Sequence, residues 1–343
     1  MAFHIYRIVT VLCILQSAVA QFGLPIPPII SSNPLSLNPE ASWGNFKDTF
    51  SKVYNGVDEI ARETIFKRNI EEILQNNLDY DRGLRTFRSE INKFADMALN
   101  EFTKLMNGFK VGLRKIVNGI LFQLPENAVI PDRVDWREKG AVTPVQDQGA
   151  CGSCWAFAAT GSLEGQYILK KKNSVSLSEQ HLIDCPRHED ATGCKGGSMT
   201  AAYEHIKENG GIDNDARYPY KAKEGACLYE RSEATCSDFV LIPEGDENAL
   251  KQAVATIGPI STAVDANHNS FRFYKEGIYN EPLCSQAVTH GVLIVGYGTE
   301  NNKDYWIVKN SWGADWGENG YIRMSRNKNN QCGIASYASY PIV

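Results

Sequence analysis

The cysteines of this 343-residue chain are concentrated in its C-terminal part, and this distribution limits which regions can be cross-linked. Cys13 lies near the start, and residues 21–150 contain none. The other eight are Cys151, Cys154, Cys185, Cys194, Cys227, Cys236, Cys284 and Cys332. Disulfides can therefore hold together only residues 151–343, and the region before them has to fold by packing alone. The cysteine count leaves open how many are paired and in what connectivity.

The first twenty residues have the features of a secretory signal peptide. Arg7 precedes an apolar run over residues 8–15, and small residues at 18–20 precede Gln21. We predict removal of residues 1–20 and entry into the secretory pathway, where disulfides form. The run is too short to cross a bilayer, and no later segment approaches about 20 uninterrupted apolar residues, so we expect no membrane span.

Composition excludes several other classes of protein. With 43% hydrophobic and 22% charged residues, the chain is typical of a soluble globular protein. The net charge of -5 gives no basic surface of the kind that binds nucleic-acid phosphates, so we expect no nucleic-acid partner. The chain contains no Asn-x-Ser/Thr sequon, which leaves extracellular, digestive and lysosomal destinations open.

The region before the cysteines divides into three segments. Residues 21–40 are rich in proline and form an extended leader to which we assign no fold. Apolar residues then recur every three or four positions, which predicts two amphipathic helices separated near Asn55-Gly56. They are Trp43, Phe46, Phe50, Ile60, Ile65, Phe66, Ile70, Ile73, Leu74 and Leu78. Residues 102–125 are basic, with Lys104, Lys110, Arg114 and Lys115 and no acidic residue. Because residues 131–343 hold 21 basic and 27 acidic residues, we expect the basic segment to dock there electrostatically.

After Pro131 the pattern changes from helical to strand-like. Residues 155–170 have helical spacing, with apolar side chains on or near one face. The last hundred residues contain strand-like runs at 291–297, 305–308 and 321–324, separated by Gly- and Asn-rich turns. Helices followed by a sheet predict an α+β fold with two lobes.

Cys154 lies where a glycine-rich loop enters the predicted helix. A thiol at this position is stabilised as thiolate by the helix dipole and by unpaired backbone amides. An imidazolium nearby would complete the activation, and His290 is the candidate because it begins an apolar strand. His181, His188, His205 and His268 stand among polar or loop-like neighbours. Asn310 follows another strand and could orient the imidazole through its side-chain carbonyl.

Two other kinds of chemistry are alternatives to nucleophilic catalysis. Cys151 and Cys154 form a Cys-x-x-Cys, which suggests redox or metal chemistry, but no thioredoxin-like strand context and no second such pair accompany it. A non-enzymatic binder is the other alternative, and the intact set of Cys154, His290 and Asn310 speaks against it. We therefore expect no metal and no cofactor.

The stretch Cys151-Gly152-Ser153-Cys154-Trp155 resembles the nucleophile signature of the papain-like cysteine proteases, most closely the cathepsin L branch. His290 and Asn310 follow in the family's order. The resemblance continues through Ser178-Glu179-Gln180, Gly193-Cys194-Lys195-Gly196-Gly197, Tyr218-Pro219-Tyr220 and Asn310-Ser311-Trp312-Gly313. It implies a papain-like two-lobed fold, with a helical lobe and a β-sheet or barrel lobe.

The upstream region resembles the inhibitory propeptides of the same family. Five of six positions of the interrupted helix pattern are present as Arg62, Phe66, Asn69, Ile73 and Asn77, with Asp58 in place of the first Glu. The G-x-N-x-F-x-D pattern appears as Asn92, Phe94 and Asp96, but Glu90 replaces its Gly, which leaves the local backbone open. The implied organisation is a propeptide over 21–130, with a helical inhibitor domain at 41–100 and a tether through the cleft at 101–130, and a peptidase domain over 131–343.

The resemblance also implies residue roles. Cys154 is expected to be the nucleophile, His290 the general acid and base, Asn310 the group that orients the imidazole, and Gln148 a side-chain donor of the oxyanion hole. The implied disulfides are Cys151 with Cys194, Cys185 with Cys227, and Cys284 with Cys332. Cys236 is left over as an inert buried thiol or a site of intermolecular pairing.

Substrate contacts follow from the same resemblance. Gly196, Gly197 and Trp312 are expected to line the cleft, and Trp312 to shield the hydrogen bond between Asn310 and His290. The second subsite is expected to consist of Met199, Ala263, Val288, Gly291 and Tyr337. The ring of Tyr337 should shorten this pocket and favour Val or Leu over Phe.

The implied protein is an endopeptidase made as an inactive zymogen and activated by acid, with cleavage near 127–131. Its expected partners are protein and peptide substrates, its own propeptide as intramolecular inhibitor, and cystatin-like inhibitors. It is expected to be a monomer.

Overall fold

The computed structural model describes residues 42–111, 120–186 and 190–343. The predicted signal peptide and proline-rich leader, with Cys13, lie outside the described residues, as do His188, Arg114 and Lys115. Within the described part, no helix is both long enough and apolar enough to cross a membrane.

The described residues of the predicted propeptide contribute three helices and two short strands. These are α1 (Trp43–Thr49), α2 (Val57–Asp81), β1 (Phe87–Ser89), α3 (Leu99–Met106) and β2 (Ile120–Leu121). Ser42 caps α1 by accepting the N–H of Asn45, and Gly56, with a φ of 51°, precedes α2. The predicted pair of helices and the break near 55–56 are thus confirmed. Because α3 continues to Met106, the helical part extends past the boundary expected at residue 100.

The region after residue 131 combines helices with a sheet, as predicted. Its elements are β3 (Val134–Asp135), α4 (Cys154–Gln166), α5 (Glu179–Asp184), α6 (Met199–Glu208), β4 (Asp238–Leu241), α7 (Glu247–Thr256), β5 (Ile260–Val264), α8 (Asn269–Arg272), β6 (Tyr274–Tyr279), β7 (His290–Glu300), β8 (Lys303–Lys309), β9 (Tyr321–Ser325) and β10 (Ser339–Ile342). The predicted one-faced helix at 155–170 is wrong in one respect: every residue of α4 is buried, and a π-helical turn, Tyr167–Lys171, follows it. The spacing of the large apolar residues reveals only the most apolar face of a helix. It cannot show that the other faces are buried as well.

The described strands join in one sheet in the order β1-β6-β9-β8-β7-β5-β10-β4-β2, with β3 beside β7. The three strand-like runs of the sequence correspond to β7, β8 and β9. The predicted propeptide supplies the strand at each end. Its Phe87 pairs with Gly277 of β6 in antiparallel register, and its Ile120 pairs with Val240 of β4 in parallel register. It therefore covers both open edges of the sheet.

Two hydrophobic clusters correspond to the two predicted lobes. One surrounds the sheet and includes Ile294 and Trp306, and the other surrounds α4 and α6 and includes Leu163 and Tyr203. Cys154 begins α4 and belongs to the second cluster, whereas His290 begins β7 of the sheet. The α+β class is confirmed, and the two candidate catalytic residues lie on elements of different lobes.

All three described disulfides lie after residue 150. They are Cys151–Cys194, Cys185–Cys227 and Cys284–Cys332, the same pairs that the resemblance implies. Cys154 and Cys236 are free and buried. The Cys236 thiol donates to the carbonyl oxygen of Tyr203 at 3.5 Å, and burial raises its pKa to about 12. Of the two alternatives for Cys236, the structure favours the inert buried thiol.

Candidate active site

Cys154 presents its thiol at the N-terminus of α4. Its Sγ accepts a hydrogen bond from the backbone N–H of Gly291 at 3.2 Å and another from the N–H of Gly108 at 3.4 Å. Gly291 belongs to β7, whereas Gly108 belongs to the predicted propeptide. The N-terminus of the helix, where backbone amides lack partners within the helix, can stabilise negative charge on this sulfur.

His290 is oriented by Asn310, the residue that follows β8. Its Nε2 lies 2.7 Å from Asn310 Oδ1, which also accepts the N–H of Ser311 at 2.8 Å. Because the amide oxygen only accepts, Nε2 carries the proton and Nδ1 offers its lone pair. Nδ1 has no partner with good hydrogen-bond geometry in this state, although the backbone carbonyl of Met106 lies close enough to affect the pKa of the ring. The imidazole is therefore held in the tautomer that can take a proton at Nδ1.

Gln148 points its side-chain amide at a carbonyl of the predicted propeptide. Its Nε2 donates to the carbonyl oxygen of Met106 at 2.9 Å and to that of Cys151 at 2.8 Å. The hydroxyl of Ser311 donates to Gln148 Oε1 at 2.7 Å, which determines which end of the amide is the donor. A peptide carbonyl of the chain itself thus occupies the hydrogen-bonding position that the sequence assigned to an oxyanion donor.

The chain beyond α3 passes over the thiol and along Gly197. The N–H of Gly197 donates to the carbonyl oxygen of Gly108 at 2.8 Å, and the N–H of Lys110 donates to that of Gly197 at 2.9 Å, so Phe109 and Gly197 form a parallel bridge. A Cβ on Gly108 would lie 1.8 Å from the carbonyl oxygen of Gly152. Only glycine fits at this crossing.

The predicted subsite residues come together around Phe109. Its ring packs against that of Tyr337 with centroids 5.4 Å apart, and Met199, Ala263 and Val288 belong to the same hydrophobic cluster. Gly196 and Gly197, which are also predicted to line the cleft, contact the backbone of residues 99–110, the covering segment. Gly197 makes the hydrogen bonds described above, and a Cβ on Gly196 would lie 2.5 Å from the carbonyl oxygen of Gly108. Gly291 lies under the thiol itself, as its hydrogen bond shows.

Trp312 packs against the imidazole of His290. Its ring centroid lies 4.7 Å from that of His290, and its side chain is fully buried. Phe102 and Phe94 contact Trp312 edge-on at 5.1 and 5.9 Å. The same tryptophan thus packs on the imidazole and anchors two aromatic residues of the predicted propeptide.

Burial keeps both reactive groups neutral in this state. It raises the pKa of Cys154 to about 11 and lowers that of His290 to about 4, although Asn310 and the backbone carbonyl of Met106 oppose the second shift. Both side chains are inaccessible to solvent. A thiolate–imidazolium pair therefore requires that the covering segment leave and water enter.

The structure does not support the redox or metal chemistry that the Cys-x-x-Cys pair suggested. Cys151 is bonded to Cys194, so it cannot form a dithiol or a metal-binding pair with Cys154. Within the described ranges, Asp265, His268 and Cys284 are close enough to share a metal ion, but Cys284 is bonded to Cys332. That group offers only a carboxylate and an imidazole, which already form an ion pair at 3.2 Å.

Two expectations about charged side chains need correction. His181 and His205, expected among polar or loop-like neighbours, are buried with their Nε2 atoms 3.4 Å apart, because both helices that carry them pack inward. Lys104 is exposed on α3, and Lys110 donates to the hydroxyl of Thr192 at 2.8 Å, so neither described lysine of the basic segment docks on a carboxylate there. Backbone hydrogen bonds hold this part of the chain.

Ion pairs between the predicted propeptide and the peptidase domain lie elsewhere. Arg85 pairs with Glu281 at 3.0 Å, and Glu90 pairs with Lys275 at 2.8 Å. The N–H of Glu90 also donates to the carbonyl oxygen of Phe273 at 2.8 Å. Glu90, which replaces the family's glycine, is accommodated in backbone that is not left-handed.

Several residues of the site were missed by sequence reasoning. Phe102 and Met106 stand four positions apart on α3, so helical spacing could have placed both on one face. The dipeptide Asn107-Gly108 reads as a turn and gives no sign that Gly108 crosses the thiol. The hydrogen bond from Ser311 to Gln148 could not be predicted, because the two residues come from distant segments of the sequence.

A protein that lays its own preceding segment across a reactive thiol is a proenzyme. The thiol at a helix N-terminus and the imidazole held by an amide make it the proenzyme of a cysteine protease. The chain belongs to the papain family of cysteine proteases, whose family model matches residues 130–342. The model of the cathepsin propeptide inhibitor domain matches residues 43–102.

Individual relatives give the same assignment. The chain is 49% identical over 322 residues to cathepsin L of Sarcophaga peregrina, covering 91% of this chain and 95% of that protein. It is 50% identical over 310 residues to procathepsin L of Rattus norvegicus, covering 88% and 92%. The structure of digestive procathepsin L2 from the larval midgut of Tenebrio molitor superposes with a TM-score of 0.83 at 40% identity, covering 88% of this chain and 98% of that one. The protein is thus a cathepsin L-like cysteine protease made with an inhibitory propeptide.

Proposed function

We propose that Cys154 is the nucleophile of an endopeptidase, with His290 as general base and acid, Asn310 as its positioning residue and Gln148 as an oxyanion donor. The observation that carries the proposal is the carbonyl of Met106, which is bound by Gln148 next to the thiol. A substrate carbonyl in the same position would face Sγ and a donor together. No metal or cofactor takes part in this scheme.

The reaction is acyl transfer in two steps. Nδ1 of His290 takes the thiol proton, and the Cys154 thiolate attacks the scissile carbonyl carbon. The oxyanion accepts hydrogen bonds from Gln148 Nε2 and from the backbone N–H of Cys154. His290 then protonates the leaving amine, and a thioester remains. A water molecule that gives a proton to His290 hydrolyses the thioester and restores the thiol.

The same contacts explain why the proenzyme is inactive. Residues 99–110 occupy the oxyanion donor, the thiol and Gly197 at once. We propose that residues 21–130 are the propeptide and 131–343 the mature enzyme, with maturation at 127–131. Val129 is 84% exposed in a connecting segment without helix or strand, which is the kind of site that proteases cut.

The proposed partners are protein and peptide substrates, the propeptide, and cystatin-like inhibitors that would compete for the exposed cleft. The cleft is complete within one chain, which supports a monomer. Three disulfides fit synthesis in the oxidising secretory pathway. Within that pathway we propose delivery outside the cell, to a digestive compartment or to a lysosome, and a relative at 49% identity is named digestive cysteine proteinase 2 of Homarus americanus.

The test is an acid shift of the purified proenzyme. Full-length protein is moved from pH 7 to about pH 5 and assayed with a Leu-Arg aminocoumarin peptide. We expect loss of roughly 110 residues and the appearance of activity, and a fall of at least about 10⁴-fold in Cys154→Ala. Cys236→Ala is the matched control, because Cys236 is the other buried free thiol, and it should keep its activity.

If wild-type protein loses its propeptide but cleaves no peptide, and no thiol reagent labels Cys154, the nucleophile assignment fails. The non-enzymatic binder then becomes the account to pursue.

The contact between Phe109 and Tyr337 also supports the proposed specificity. We propose that the Tyr337 ring limits the depth of the second subsite, so that Val or Leu is preferred to Phe. Tyr337→Ala should raise kcat/KM for a Phe-Arg substrate relative to its Leu-Arg twin by about 5-fold or more, in keeping with the volume released. An unchanged ratio of kcat/KM for the Phe-Arg and Leu-Arg substrates would refute the hypothesis.

A further inference from the structure

Arg272 is a fully buried arginine where the propeptide meets the peptidase domain. It ends α8, and only its Nη1 has a hydrogen bond, donated to the carbonyl oxygen of Met97 at 2.8 Å. Nε and Nη2 have no partner. The guanidinium lies over two rings, at 5.3 Å from that of Phe102 and 4.3 Å from that of Phe273. A buried cation with two unused donors and no ion pair is an unfavourable arrangement on its own.

Much of what surrounds this side chain leaves with the propeptide. Met97 and Phe102 both precede residue 131, and so do the charged groups that most affect the pKa of Arg272. Those groups are Glu72, Arg68, Asp96 and Glu101. Burial lowers the pKa of Arg272 to about 10, which leaves it charged at any pH at which the enzyme works. Maturation therefore removes its acceptor, one of its two rings and three carboxylates, and leaves an uncovered cation.

Contacts within the peptidase domain keep the backbone of Arg272 beside the cleft. Nε1 of Trp316 donates to its carbonyl oxygen at 3.0 Å. Its neighbour Phe271 packs against Trp312 with centroids 5.6 Å apart and against His290 at 6.4 Å. These residues all belong to the part of the chain that remains.

The covering segment shows on which side of the scissile bond Arg272 lies. Phe109 fills the apolar subsite that we assign to the substrate residues preceding the bond, whereas Phe102 packs on Trp312 at the other side of the thiol. Arg272 contacts Phe102 and not Phe109. The leaving portion of a substrate would occupy that second side.

We propose that Arg272 is a specificity-determining residue on the leaving-group side of the cleft, where it selects substrates that carry Glu or Asp shortly after the scissile bond. The proposal rests on the proposed function. The guanidinium would replace the lost propeptide contacts with hydrogen bonds to a carboxylate, which it can donate in pairs. A substrate glutamate, with a pKa of about 4.3, is ionised at pH 5.5, so the contact is available under mildly acid conditions.

The experiment uses activated enzyme and matched internally quenched peptides. Each set is identical except for Glu, Gln or Lys at one of the first three positions after the scissile bond. At pH 5.5 and low salt, we expect kcat/KM for Glu to exceed that for Gln by about 3- to 10-fold at one position, with Lys below both. The preference should fall to less than about 2-fold in 0.5 M NaCl, because salt screens an exposed pair.

Variants then assign the preference to one residue. Arg272→Gln should reduce the Glu-to-Gln ratio to about 1, and Arg272→Lys should keep part of it because the charge remains. Lys275→Gln is the matched control: Lys275 of β6 also loses a carboxylate partner, Glu90, on maturation, but its side chain is already 44% exposed, so the variant should not alter the ratio. Ratios within each enzyme remove differences in overall activity.

Two results would overturn the proposal. One is a wild-type Glu-to-Gln ratio near 1 at all three positions, and the other is a ratio that persists in Arg272→Gln. If Arg272→Gln does not fold, the wild-type ratios, their salt dependence and Arg272→Lys still decide. Enzyme that cleaves the Leu-Arg aminocoumarin peptide but shows no acidic preference refutes this inference alone, whereas enzyme that cleaves nothing refutes the proposed function and this inference with it.

Discussion

The propeptide and the peptidase domain are each stabilised internally by a different kind of interaction. The peptidase domain carries all three described disulfides and supplies most residues of the two large hydrophobic clusters. The described part of the propeptide has no cysteine, and its helices are joined by ring contacts such as Phe46 on Phe66 at 4.7 Å and by a polar network around Asp96. The region that persists is cross-linked, whereas the region that must leave depends on contacts that single substitutions or acid can break.

Gly108→Ala should break this arrangement most strongly. The new Cβ would lie 1.8 Å from the carbonyl oxygen of Gly152, so the segment could not cross the thiol by its present path. The expected result is at least a 100-fold increase, on the order of 3 kcal/mol, in the rate at which iodoacetamide modifies Cys154 in intact proenzyme at pH 7.

The control for this change is Gly44→Ala in α1, where an added Cβ meets nothing within 4 Å. It should not raise the modification rate above that of wild type, since alanine is favoured over glycine in a helix. Equal rates for the two variants would mean that the path over the thiol is not sterically defined.

Asp96→Asn tests the polar network of the propeptide. The carboxylate is 1% exposed, pairs with Lys52 at 3.0 Å and accepts the hydroxyl of Tyr54. Removing its charge should destabilise the propeptide by about 2–3 kcal/mol, because a partly buried ammonium loses its partner. We expect the modification rate of Cys154 at pH 7 to rise about 30- to 100-fold.

Asp81→Asn provides the comparison, because Asp81 also pairs with an arginine, Arg88, but its side chain is 55% exposed. Exposed pairs contribute little, so the rate should change less than about 2-fold. If Asp81→Asn raised the modification rate of Cys154 as much as Asp96→Asn, burial of the carboxylate would not explain the effect of Asp96.

Arg62→Gln should have the smallest effect and a specific pH dependence. Arg62 donates twice to Glu101, at 2.6 and 2.7 Å, and so joins α2 to α3. This hydrogen bonding lowers the pKa of Glu101, so the pair stabilises the propeptide above the ordinary glutamate pKa of about 4.3 and the stabilisation is lost as pH falls below it. We expect the variant to activate about 3- to 5-fold faster than wild type at pH 5.5, with the difference shrinking towards pH 4.

The pH profile separates this explanation from a general loss of stability. Lys67→Gln removes an exposed pair with Glu63 within α2 and should follow the wild-type profile. A constant acceleration of Arg62→Gln across pH 4–6 would show that Glu101 does not contribute to acid release.

Much of this protein could be predicted from its sequence where local pattern and local structure coincide. Apolar spacing placed α1 and α2 and the break between them, and the uninterrupted runs placed β7, β8 and β9. The signature around Cys154 and the order of His290 and Asn310 singled out residues that lie near one another in the structure. Asn310 contacts His290, and the N–H of Gly291, the next residue after His290, contacts the Cys154 thiol.

What could not be predicted depends on contacts between distant segments. The burial of α4 on all sides follows from two clusters meeting around it, and no periodicity records that. The charge count at 102–125 suggested electrostatic docking, but backbone hydrogen bonds to Gly197 hold that segment. Arg272 looks like an ordinary surface arginine until Met97 and Phe102 are placed over it.

We propose that the propeptide inhibits the enzyme by covering Cys154 itself. The direct measurement is the rate of Cys154 alkylation by iodoacetamide in intact proenzyme and in activated enzyme at pH 6.5, read by mass spectrometry, with buried Cys236 as the internal reference. We predict that the proenzyme reacts at least about 1,000-fold more slowly, because modification has to await opening of the segment over the thiol, while Cys236 stays unmodified in both. Equal rates in the two forms would contradict the account.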